Sequence, residues 1–165
     1  MGRPQGRTEQ LINASPARVW SILEDSSLLP KWVPVVDEVV RHEEREGPGT
    51  VRRCNVDFGG RRGYMVERCV EAIPERRLRH VVDDDSLGFT RRFADYSFVL
   101  ELEPERPGRT LITCETFYEP RGALSRMMNA LVMRRKFAAT RERILLGLKQ
   151  ISEEAPRDRT DRPTD

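Results

Sequence analysis

PRGALSRMMNALVMRRKFAATRERILLGLKQISEE, from Pro120 to Glu154, is the stretch on which the fold turns. Arg121 and Gly122 open it, and Ala123 to Ser152 then runs without Pro and with one Gly, Gly147. Leu124, Met127, Met128, Leu131, Phe137, Ala138, Ile144, Leu145, Leu148 and Ile151 recur at spacings of three, four and seven, the period of one helix face. At about 1.5 Å per residue the helix is roughly 45 Å long. That exceeds what an ordinary surface helix needs, so it must lie across something wide. Val35 to Tyr118 reads almost wholly as strands. A long last helix held in the concave face of an antiparallel sheet buries both, and leaves room for a pocket between them. The expected class is α+β.

Working back from that helix, the chain before it is a meander of hairpins. Its turn signals are Glu46-Gly47-Pro48-Gly49, Gly59-Gly60-Arg61-Arg62-Gly63, Ile73-Pro74-Glu75, Asp83 to Gly88 and Glu105-Arg106-Pro107-Gly108. They alternate with runs rich in Val, Tyr, Phe and Thr. Earlier still, Thr8 to Asn13 reads as a first strand. Ser15-Pro16 starts a helix, with Ser15 as cap and Pro16 at the first helical position, where no N–H is needed. Val19, Trp20, Ile22 and Leu23 are its buried face. Asp25-Ser26-Ser27 opens a second short helical turn that Pro30 ends, and the next strand is expected from Val35 to Glu44. One domain over residues 8–154 follows, with a flexible N-terminus (1–7) and a polar, disordered tail (155–165).

Alternation gives the facing. Cys54, Val56 and Phe58 form the apolar set before the Gly59 turn. A five-residue loop pairs Phe58 with Tyr64, Val56 with Val66 and Cys54 with Arg68. That register turns Tyr64 and Arg68 inward and Cys69 outward. Leu78, His80 and Val82 point inward on the next strand, then Tyr96, Phe98, Leu100 and Leu102. On the last strand Leu111, Thr113, Glu115 and Phe117 compete with Ile112, Cys114, Thr116 and Tyr118; a one-residue slip exchanges them.

Composition narrows the partners. The net charge is +2, and Arg outnumbers Lys by 26 to 3, but the Arg residues are interleaved with acids from end to end. A nucleic-acid protein more often shows an uncompensated basic face, so nucleic acid is not expected as a partner. Three Cys (Cys54, Cys69, Cys114) without CxxC spacing argue against structural zinc and a disulfide framework. Met1 to Gln10 lacks an apolar signal core, no run is long enough to span a bilayer, and Gly6 stands where myristoylation requires Ser or Thr. A soluble cytoplasmic protein is expected; oligomeric state is not legible.

Ile12-Asn13-Ala14-Ser15-Pro16-Ala17-Arg18-Val19-Trp20, then Leu23 and Asp25, then Leu29-Pro30-Lys31-Trp32-Val33-Pro34, resembles the opening of the START-like (SRPBCC, Bet v 1-like) superfamily. The branch it most resembles is the polyketide cyclase/dehydrase group. Gly108-Arg109-Thr110, Pro120-Arg121-Gly122 and the Phe137…Leu148-Lys149…Glu153 ending extend the resemblance over Glu9 to Glu154. It implies a helix-grip: a curved antiparallel sheet of about seven strands around the long C-terminal helix, with two short helices after strand 1. Members of that superfamily bind lipids, isoprenoids, hormones or polyketides, and a minority catalyse ring closure and aromatisation. The group has no shared catalytic signature to transfer.

The residues suggest the chemistry. An inward Arg68 needs a partner, because an unpaired buried guanidinium costs several kcal/mol. Glu115, Asp57 or a ligand carbonyl or carboxylate would serve, and in a cyclase-like site Arg68 would polarise a carbonyl while an enolate forms. His80 and Tyr96 are the candidate proton carriers. Ligand-lining candidates are Trp32, Phe58, Tyr64, Arg68, His80, Tyr96 and Phe98 from the sheet side, and Met127 and Leu131 from the helix. His42, beside Glu43 and Glu44, reads as surface. No second His or clustered Cys lies at ligand spacing, so no metal and no cofactor are expected, and no nucleophile elbow or phosphate loop is present. The basic run Arg134-Arg135-Lys136, with Arg141 and Arg143, could touch acidic lipid or RNA and is read first as a solvated helix face paired with Glu142. The leading function is binding or carriage of a hydrophobic small molecule in the internal cavity. The alternatives are a polyketide aromatase/cyclase and a ligand-free protein-interaction module.

Overall fold

The structure, a computed structural model, describes residues 3–41 and 45–154. The expectations for His42, for the strand end at Glu43-Glu44 and for the tail lie outside the described residues.

Among those residues seven strands form one antiparallel sheet: β1 (Gly6–Ile12), β2 (Val36–Arg41), β3 (Val51–Asp57), β4 (Arg62–Ile73), β5 (Arg77–Asp85), β6 (Phe93–Arg106) and β7 (Arg109–Pro120). Their order is β1-β7-β6-β5-β4-β3-β2, so the first strand closes against the last and the rest is a meander. Short helices α1 (Pro16–Leu23) and α2 (Leu29–Trp32) follow β1, as expected, but Pro30 lies in the first turn of α2 instead of ending the turn before it, because a proline needs no N–H partner there. Ser15 Oγ accepts from the Arg18 N–H at 3.3 Å, and Asp25 Oδ1 from the Ser27 N–H at 3.0 Å, so both caps behave as their residue types suggest. A four-residue helix α3 (Phe89–Arg92) sits between β5 and β6. Its first N–H groups are held by the Asp85 carboxylate, which accepts from the Phe89 and Thr90 N–H groups at 2.9 and 2.7 Å.

The terminal rod is α4 (Gly122–Met128), a π-helical turn (Asn129–Met133) and α5 (Arg134–Glu153). The long C-terminal helix expected is present, with one π-helical turn inside it: the Arg134 N–H donates to the Asn129 carbonyl, five residues back, which rotates one half against the other. Leu145 and Leu148 join the core with Ile12, Leu23, Trp32, Leu100, Ile112 and Cys114. Gly147 is where α5 crosses α2, and a Cβ there would run into the Trp32 carbonyl oxygen. A second cluster, Phe93, Tyr118 and Phe137 with Phe89, Tyr96 and Met133, closes the other end of the core.

One register differs from expectation, and its consequences reach the site. β3 and β4 pair Val51 with Arg68, Cys54 with Met65 and Val56 with Gly63, a shift of three from the pairing the loop length suggested. The reversal is tighter because Gly59 (φ 66°) and Gly60 (φ 90°) both take left-handed backbone, and the Phe58 N–H reaches the Arg61 carbonyl at 3.1 Å. Gly63 is then a strand residue packed against Ser86 and Leu87. An odd shift exchanges faces. Met65, Glu67 and Cys69 turn inward; Tyr64 and Arg68 turn outward. On β7 the open choice resolves to Cys114, Thr116 and Tyr118 inward, with Glu115 outward, 3.6 Å from Arg7 Nη1.

Candidate functional site

Between the concave sheet and α5 lies an apolar cavity of about 100 Å³. Trp32 from α2, Val56 from β3, Met65 from β4, Leu100 from β6 and Ile144 from α5 wall it in. Strands β3 to β7 contribute residues of one parity, which is why one cavity collects side chains from so much of the chain.

One wall is a buried ion network. Arg52 Nη1 donates to Glu46 Oε1 at 2.8 Å, and Arg52 Nε to Glu67 Oε2 at 2.7 Å. His80 Nε2 stands 2.9 Å from Glu46 Oε2, and the Ser26 hydroxyl also donates to Glu46. Burial pushes the Glu46 carboxyl up, but the His80 hydrogen bond and the Arg52 charge outweigh it and hold it at about 2. Burial, then the Arg52 charge, push the His80 imidazole below its ordinary value, so it is neutral at pH 7. Facing an ionised carboxylate, which only accepts, Nε2 carries the proton. Nδ1 is then a buried lone pair without a partner. The cluster sets one guanidinium against two carboxylates. Glu46, Cys69 and His80 also bring one donor atom each within 4.8 Å of the others. The Arg52 guanidinium on the same carboxylate opposes a cation there, and burial pushes the Cys69 thiol up to about 11. Burial likewise pushes Cys54 and Cys114 up to about 12, so all three are thiols rather than nucleophiles.

The opposite wall carries Arg141. It is buried on α5, donating from Nη1 to Thr116 Oγ1 at 2.9 Å and from Nε to Thr8 Oγ1 at 3.2 Å. Its partners are hydroxyls; among the described residues no carboxylate forms an ion pair with it. Gly6 on β1 leaves room for the guanidinium where a Cβ would meet it.

Of the residues expected to line the cavity, Trp32, Phe58, His80, Tyr96 and Phe98 do so. His80 stacks on Phe98 at 5.3 Å between ring centroids. Burial raises the Tyr96 phenol above its ordinary value, with the Glu67 charge adding to it. Four others are elsewhere. Arg68 pairs with Asp83 on the convex face, Nε to Oδ2 at 2.8 Å and Nη2 to Oδ1 at 2.9 Å. Tyr64 donates to Asp84 Oδ2 at 3.0 Å beneath the Arg53 guanidinium. Met127 and Leu131 face solvent, 56% and 64% exposed. The reason is the β4 register for the first pair and the direction of α4 and the π-helical turn for the second.

Glu46, Arg52, Glu67 and Arg141 were missed as site residues. Two had a signal. Arg52 shares parity with Cys54 and Val56, and Arg141 falls four residues after Phe137 and four before Leu145. Glu67 was hidden by the register and Glu46 by its turn.

A second hollow of about 260 Å³ opens beside the first, under Met128, Val132 and Met133 and above Leu87 and Phe89. Phe58, Phe137 and Thr140 belong to both walls. Phe58 and Phe137 stand between the two spaces, and Phe89, 5.2 Å from Phe58 and 6.1 Å from Phe137 ring centre to ring centre, packs against them from the outer hollow.

Comparison with known proteins agrees with this architecture. The family described as "Polyketide cyclase / dehydrase and lipid transport" matches residues 3–153. No curated protein matches the sequence. Among solved structures, TTHA0849 from Thermus thermophilus is 22% identical, with a TM-score of 0.71 over 88% of this chain and 94% of that one. The Zhui aromatase/cyclase from Streptomyces sp. R1128 is 17% identical, with a TM-score of 0.67 over 88% and 93%. Ginseng major latex-like protein 151 from Panax ginseng is 12% identical, with a TM-score of 0.71 over 90% and 98%. At these identities the likeness is one of fold. No helix among the described residues is long and apolar enough to cross a membrane. With the family match running almost from end to end of the seven-stranded grip, the chain belongs to the polyketide cyclase/dehydrase and lipid transport family.

Proposed function

We propose that the protein binds a hydrophobic small molecule of the lipid, isoprenoid or polyketide kind between the sheet and α5. The observation that carries this reading is an apolar cavity with a polar group at each end: the neutral His80 beside Arg52–Glu67, and the Arg141 guanidinium held by hydroxyls alone. Arg141 suits a carbonyl or carboxylate on an otherwise apolar ligand. About 100 Å³ is a few water molecules' worth of space, below the roughly 300 Å³ at which drug-sized pockets begin. Displacing Phe58, which lines both spaces, would join the cavity to the outer hollow and bring it to that size. Burying roughly 300 Å² of ligand then yields about 7 kcal/mol gross, which supports micromolar binding after ordering costs.

Native mass spectrometry of protein purified without denaturation tests this, with cis-parinaric acid as the added probe. A bound mass is expected, together with quenching of Trp32 emission that Trp32→Phe removes. Arg141→Met should weaken the acid more than the matching alcohol, and Arg68→Met should change neither. A bare mass and an unmoved Trp32 would end this reading.

A second reading, aromatase/cyclase turnover, is favoured by His80, a neutral imidazole in the cavity wall whose buried Nδ1 has no hydrogen-bond partner. His80→Gln would then abolish ring closure of a poly-β-ketone while leaving its binding within about threefold, a margin of less than 1 kcal/mol.

A further inference from the structure

We propose that the α4 and π-helical half of the terminal rod docks on an anionic membrane surface. The half leaves apolar side chains on its outer side. Toward the protein it presents Ser125 and Asn129, both buried, with Asn129 Oδ1 accepting from the Tyr118 hydroxyl at 2.8 Å. Toward solvent it presents Leu124 (71% exposed), Met127, Leu131 and Val132. Leu124, Met127 and Leu131 follow the three- and four-residue steps of a single stripe. The core makes no use of these side chains, and a contiguous exposed apolar patch marks an interaction site.

Charge selects the occupant. From Arg121 to Arg141 there is no Asp or Glu, and Arg121, Arg126, Arg134, Arg135 and Lys136 are all exposed. Arg61 and Arg92 line the hollow beneath. A second copy docking through this face would set the same cations against each other, with no acid in the segment to compensate. A bilayer containing anionic lipid satisfies both features: the stripe enters the boundary between headgroups and acyl chains, and the cations meet phosphates. Val132 and Met128 also roof the outer hollow, so the docked face adjoins the route to the cavity. The surface is tested without any cavity ligand, so its failure and that of small-molecule binding are separable.

The full chain is sedimented with vesicles of phosphatidylcholine alone and of phosphatidylcholine with phosphatidylglycerol. Pelleting is expected with the anionic vesicles only, falling as salt is raised. The double variants Leu124→Ser/Leu131→Ser and Arg134→Glu/Arg135→Glu should each lower partitioning by about tenfold or more, at an unchanged thermal midpoint. Leu146→Ser, which removes an exposed Leu from α5, should bind like wild type. Absence of pelleting, equal pelleting with neutral vesicles, or pelleting that survives both double variants overturns the proposal. So does a dimer in sedimentation equilibrium that Leu131→Ser dissociates, which would make a second copy the occupant.

Discussion

Two halves of one rod carry the same apolar spacing and meet opposite surroundings. In α5, Phe137, Leu145 and Leu148 face the sheet, and Leu148 is 0% exposed. In α4 and the π-helical turn, Leu124, Met127 and Leu131 face away from it, while Ser125 and Asn129 take the inner side. Periodicity reports that a helix has an apolar face. What covers that face is settled by where the sheet lies and by the rotation the π-helical turn introduces.

The sharpest way to break the comparison is to truncate the buried half. Leu145→Ala should cost about 2–5 kcal/mol in denaturant unfolding, because the α5–α2–sheet junction leaves little room to collapse. Acid is the next lever, since α5 closes the cavity whose far wall is the ion network. His80 binds its proton more weakly folded than unfolded, so the unfolded chain takes it up first, and stability falls as pH drops below about 6.5. Glu46 has its carboxyl depressed from 4.5 to about 2, so its contribution is whole above the first value and lost toward the second. That loss is up to about 3 kcal/mol, read as denaturation midpoint against pH. His80→Gln should remove the upper part of the profile and shrink the lower, because the His80 hydrogen bond is one of the groups that hold the Glu46 carboxyl down.

Gly147→Ala comes third. Ala favours a helix by about 1 kcal/mol, but the added Cβ meets the Trp32 backbone, and a net loss of about 1–3 kcal/mol in thermal unfolding is expected. The smallest effect belongs to the exposed half: Leu131→Ala should stay within about 0.5 kcal/mol. A loss at Leu131 as large as that at Leu145 would mean the two halves are packed alike, and the contrast between them would fall.

Much of the architecture was legible. The caps at Ser15 and Asp25, the turn spacing and the uninterrupted run after Gly122 each act through near neighbours, so residue type is enough to read them. The same holds for His80, Tyr96 and Phe98, whose strands kept the expected alternation. Arg68 and Tyr64 were misplaced because a hairpin register depends on the turn's backbone angles. Two glycines accept several such angles, and one odd step exchanges every side chain.

By itself the sequence determined most of the strands and helices and that the rod has an oily side, because these follow from local sterics and the alternation of polar and apolar residues. Only the tertiary structure decided that Arg52, rather than Arg68, is the inward cation and pairs with Glu46 and Glu67, that Arg141 lies inside, and that Leu131 lies outside. Those outcomes depend on long-range pairing and on which surface reaches which, and a buried charge or an exposed Leu costs little or much according to neighbours far away in the chain.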